Sequence, residues 1–188
     1  MNVESNLVFA HSLFEHDMSD AHLIKPTGNS DLDQSIRTMQ QKIVDEGEIP
    51  QYLEALAWMF VSKSKETQSD GWLNGAHACS DRLMTKWSTY SGSLLLESYL
   101  LLQEHRFSEA LELAGELLKR DPTAQAHMIY GDIAFDIGRL ELAADAYQQA
   151  MNTKPSAEAY MRGANLNWVL GEWGQGAFNH PFSQVDDQ

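Results

Sequence analysis

The stretch HRFSEALELAGELLKRDP at residues 105–122 returns in altered form as GRLELAADAYQQAMNTKP at residues 138–155. A chain that repeats itself at a fixed interval is constrained more by that period than by any other property. Each unit is too small to bury its own apolar face, so neighbours must stack to complete a shared core. Within a unit, apolar residues recur at spacings of three and four, which places them on one face of a helix. Two such runs are separated by a short turn and closed by proline. Nothing alternates with period two over a useful length, so no strands are predicted.

The second copy is the clearest. It reads His127-x2-Tyr130-Gly131-x2-Ala134, then Ala143-x3-Tyr147, then Ala150 and Pro155. Small residues at Gly131 and Ala143 let two helix backbones approach, Tyr147 fills the space beside them, and Gly138 suits a tight helix end. The first copy reads Leu94-x2-Glu97-Ser98-x2-Leu101, then Ala110-x3-Ala114, Leu117 and Pro122. A third begins Tyr160-x2-Gly163-Ala164-x2-Asn167, with Gly171 at the turn and Gly176 in the small slot. Pro181 then interrupts what should be its second helix. This pattern resembles the tetratricopeptide repeat, although the first slot is not Trp and Ala134 stands in the Tyr slot. The fold expected is all-α, a right-handed solenoid of helical hairpins.

Residues 1–28 read as an arm, closed by the loop formers Pro26, Gly28, Asn29 and Ser30. Its apolar residues Leu7, Val8, Phe9, Leu13 and Phe14 suit either docking on the body or a mobile tail. Residues 29–90 read as divergent hairpins. Leu32, Ile36, Met39 and Ile43 share a helix face behind Ser30, an expected N-cap. Pro50 suits the first turn of a helix carrying Leu53, Leu56, Ala57 and Phe60. SKSKETQSDG, residues 62–71, reads as a polar connector. Ser69 or Asp70 then caps a helix with Trp72, Leu73, Ala76, Leu83 and Trp87. Ala76 precedes Ala110 by 34 residues, one repeat interval. Repeats are expected over 91–180, as 91–123, 124–156 and a partial 157–180, followed by a tail at 181–188.

Charge narrows the partners. Thirteen basic and 27 acidic residues leave a net charge of −14, which repels phosphate backbones and anionic membrane surfaces. Neutral or basic protein partners with apolar anchors fit better. Cys79 is the single cysteine, so it forms neither an internal disulfide nor a cysteine-based zinc site. The N-terminal residues lack a basic n-region, and LLLESYLLL is far shorter than the ~20 residues that span a bilayer. A soluble, cytoplasmic protein is expected.

The resemblance implies that the first helix of each repeat lines a concave, peptide-binding groove. The inward positions would be Leu95, Tyr99 and Leu102, then Met128, Asp132 and Phe135, then Met161, Asn165 and Trp168. Such a groove is aromatic and methionine-rich with an acidic rim, and Asp132 and Asp136 stand one turn apart to receive a basic group. Relatives that clamp acidic C-terminal peptides use Lys, Asn and Arg on these helices. Leu95 and Tyr99 depart from that pattern, and Asn165 and Arg162 are isolated. The function implied is a non-enzymatic interaction adaptor. Its alternatives are a dedicated chaperone for a secreted or aggregation-prone client, or a recognition module of a larger enzyme or regulator. The half repeat at the end would expose Trp168, Val169 and Trp173, favouring a homodimer through the last helix or a longer array.

No catalytic set emerges, and no cofactor or metal is expected. His11 and His16 do not share a helix face. His77 and Cys79 stand two apart and diverge on a helix. GEWGQG lacks the lysine and strand of a phosphate loop, and DGWLNGAH lacks calcium-ligand spacing.

Overall fold

The computed structural model describes Ile24 and residues 26–171. The apolar residues of the arm, His11, His16, Trp173, Gly176 and Pro181 lie outside the described residues. Eight helices are described: α1 (Asp31–Glu46), α2 (Pro50–Thr67), α3 (Gly71–Lys86), α4 (Ser91–Gln103), α5 (Phe107–Arg120), α6 (Ala124–Asp136), α7 (Leu140–Thr153) and α8 (Ala157–Leu170). The chain is all-α, built of helical hairpins. It divides into two compact units, one ending at Leu100 and the other beginning at Leu101.

In the first unit, Ser30 caps α1 as expected, accepting from the Asp33 amide while the Asp33 carboxylate accepts from the Ser30 amide. Such a reciprocal cap contributes about 1 kcal/mol. Ile24 and residues 26–30 run beside α1. The Arg37 guanidinium donates to the carbonyls of Pro26 and Gly28, and the Gln40 amide donates to that of Ile24. Pro50 opens α2 at its first turn. Asp70 precedes α3, but its side chain makes no capping bond. The core joins Ile36, Ile43, Leu53, Leu56, Ala57, Phe60, Ala76 and Leu83 to Leu96 and Leu100 of α4.

One sequence expectation fails here. The polar stretch from Ser62 is not a connector, because α2 runs through Thr67. Lys63 and Ser64 are buried, and Lys65 is exposed. The Lys63 ammonium can enter because it lies 2.8 Å from the buried Asp33 carboxylate and 3.2 Å from Glu66. With that correction the α2–α3 hairpin falls into phase with the next. Phe60, Ser64, Ala76 and Leu83 stand 34 residues before Leu94, Ser98, Ala110 and Leu117, and all eight are buried.

In the second unit the small slots act as expected. A Cβ placed on Gly131 would lie 2.5 Å from the Tyr147 ring, so only glycine allows α6 and α7 to close around it. Ala143, Tyr147 and Ala150 are buried in the same cluster as Ala134 and Leu166. Thr123 and Ser156 cap α6 and α8 with their hydroxyls. Gly138 and Gly171, 33 residues apart, both hold the left-handed conformation at a helix end, with φ of 75° and 71°. The equivalent position one repeat earlier is His105, with φ of 58°. A side chain there costs about 1 kcal/mol, partly offset by the 5.4 Å edge contact of His105 with Phe107. His105→Gly is therefore expected to raise stability by about 0.5 kcal/mol in urea unfolding followed by circular dichroism. A loss instead would show that the ring contact outweighs the backbone strain.

Candidate functional site

In the second unit, α6 and α8 carry six of the nine expected groove residues, and the structure sorts them. Met161 and Trp168 are 70% and 64% exposed, and Asn165 is exposed beside them on the same helix. Asp132 and Phe135 on α6 are half-buried. Met128 is 7% exposed and belongs to the core, and Leu102 at the end of α4 is equally buried. Both residues therefore offer almost no surface to a partner. A helix register locates the centre of a buried stripe, and the bulk of neighbouring side chains decides its edges.

The acidic rim is also altered. The Arg162 Nε donates to both Asp132 oxygens, at 2.8 and 3.0 Å, and the Tyr147 hydroxyl donates to the same carboxylate at 2.9 Å. Arg162 is thus not isolated, and Asp132 is already occupied by a cation from its own chain. Burial, followed by the Asp132 charge, pushes the Tyr147 phenol well above its ordinary range and keeps it a donor. Burial opposes the charged form of Arg162, but the Asp132 hydrogen bond and charge outweigh it and raise its pKa. The network ties α6, α7 and α8 together. Beyond it, α8 carries no charged residue from Gly163 to Leu170, and Val169 and Leu170 are also exposed, at 52% and 41%.

In the first unit, Leu95 and Tyr99 of α4 are half-buried. The Tyr99 ring meets Trp58 of α2 edge to face, with centroids 5.1 Å apart at 60°. The Lys65 ammonium stands 5.3 Å from the Tyr99 centroid. Sequence reading passed over Trp58 and Lys65. The available signal was the 34-residue interval, which sets Lys65 in the slot of Tyr99.

Elsewhere the side chains give little purchase for chemistry. Cys79 is buried, and its thiol is pushed up to about 12 by burial and by the Glu48 charge, so it stays protonated near neutrality. His127 is half-buried, and its pKa is lowered by desolvation. Among the described residues no three His, Cys, Asp or Glu side chains converge to hold a metal ion. No described helix is long and apolar enough to cross a membrane.

Residues 95–158, from α4 into α8, match the model of the tetratricopeptide repeat family. These residues carry tetratricopeptide repeats, and repeats of this family generally serve as protein-interaction modules. A search of curated proteins finds no match to the chain.

Proposed function

We propose that this chain is a non-enzymatic adaptor, acting in the cytoplasm, whose second unit captures a neutral or basic protein segment on the α6–α8 face. The observation that carries the reading is exposure. Six large apolar residues are markedly exposed among the described residues, and Met161, Trp168, Val169 and Leu170 all belong to α8. Large apolar side chains left exposed together on one helix mark an interaction site. Aromatic residues dominate binding energy at such sites, and methionine adapts to varied shapes. Leu95 and Tyr99 contribute a second apolar surface in the first unit.

Met161→Ala with Trp168→Ala should leave folding intact, because both side chains are largely exposed. Removing two such anchors, each worth roughly 2 kcal/mol, should weaken partner binding by several hundred-fold. Affinity capture from host lysate, with helicity checked by circular dichroism, reads the outcome. Unchanged capture would remove α8 from the binding surface. Capture of one aggregation-prone client, kept soluble only by the wild type, would favour the chaperone reading over the general adaptor. The same charge-free face also suits a second copy of this chain, since copies carrying −14 repel least where no charge stands. A wild-type dimer that the double variant dissolves in sedimentation would establish that use.

A further inference from the structure

The first unit carries a charge that the chain's overall balance conceals. Lys65 is exposed, and its ammonium is held over the Tyr99 ring. Among the described residues no carboxylate lies within ion-pair distance of it. Its neighbour Glu66 is engaged by Lys63, which points to the other side of α2 toward Asp33. The cation is therefore pre-positioned over an aromatic face and, among the described residues, has no carboxylate partner, which lowers the ordering cost of pairing it. Trp58, Tyr99 and Leu95 supply the apolar part, each half-buried with a face left to solvent.

We propose that Trp58, Lys65, Leu95 and Tyr99 form a docking site for a peptide segment with a large apolar side chain and one carboxylate close to it in sequence. The two ring distances put the Lys65 ammonium no more than about 10 Å from the Trp58 centroid, the span of roughly three residues of extended peptide. The apolar anchor sits against Trp58 and Leu95, and a carboxylate within three residues of it pairs with Lys65. The net charge of −14 selects against further acidic residues, so the rest of the segment is neutral or basic. The inference rests on the protein-binding reading above and names the partner chemistry at a different surface.

The test is selection of a random 12-residue peptide display library on the full chain and on Lys65→Glu, with both proteins checked for helicity. Peptides enriched on the wild type should pair a large apolar residue with Asp or Glu within three positions. The best synthetic peptide should bind at least tenfold more weakly to Lys65→Glu, and also when its carboxylate is replaced by the amide. Lys65→Arg should restore binding to within about threefold, since guanidinium also stacks on tyrosine. Enrichment without a carboxylate, no enrichment, or affinity indifferent to Lys65→Glu would each overturn the proposal. Capture of a lysate partner that depends on Met161 and Trp168 but not on Lys65 would overturn it while leaving the adaptor reading intact.

Discussion

Phe60→Ala is expected to lower the stability of the first unit by about 3–5 kcal/mol, a large part of what holds a domain of this size folded. The side chain is wholly buried. Its ring stacks on Trp72 of α3, with centroids 5.9 Å apart at 29°, and it fills the notch left by Gly75, where a Cβ would lie 2.9 Å from the ring. Ile24 closes the same notch from the segment before α1. Truncation thus leaves a cavity between three elements, none free to collapse without releasing contacts to the others. Urea unfolding followed by far-ultraviolet circular dichroism measures the change. A loss below about 1 kcal/mol would mean that Trp72 and Ile24 move inward to fill the space.

Much of this architecture was legible because repetition encodes it locally. Gly131 with Tyr147, Ala110 with Ala114 and Leu117, and the turn glycines Gly138 and Gly171 each have a slot in a 33-residue pattern, and steric demand allows few residue types there. Ser30 and Pro50 were legible because helix ends need an oxygen acceptor or tolerate a missing donor. What escaped depended on pairs far apart in sequence. Asp132 looked like free acidic surface until Arg162, 30 residues on, was seen to donate to it. Lys63 looked like connector because composition carries no record of Asp33, also 30 residues away. Ending α2 too early for that reason hid Lys65, and with it the aromatic and cationic site of the first unit. The two core-facing groove positions, Met128 and Leu102, were missed differently. They sit at the edge of a stripe whose centre the register located correctly.

Losing one partner of the Asp33–Lys63 pair is expected to shift the unfolding midpoint more than losing any exposed ion pair. Removing Glu109, whose bond to Arg106 is exposed, should barely move it. Asp33 and Lys63 are both buried, at 1% and 6% exposure, so Lys63→Met leaves a carboxylate without its cation, and Asp33→Asn leaves the ammonium with Glu66 alone. The double variant should be more stable than either single one, since it buries no unpaired charge. The pH dependence has a definite sign. The Lys63 hydrogen bond is the largest cause holding the Asp33 carboxyl below its ordinary value, and the Ser30 contacts assist against burial. Its contribution is therefore present above about pH 4 and lost as pH falls through the depressed folded value. The Asp33 bond raises the Lys63 pKa, so that contribution is present below about pH 10 and lost only as pH rises through the elevated folded value. The pair's contribution to the melting temperature should stay level between those limits and be lost in acid, so the acid limb should be shallower in Asp33→Asn. An equally steep limb in that variant would assign the acid sensitivity to Glu48 instead, whose carboxyl is held down by Lys86 and Arg82 against its own burial.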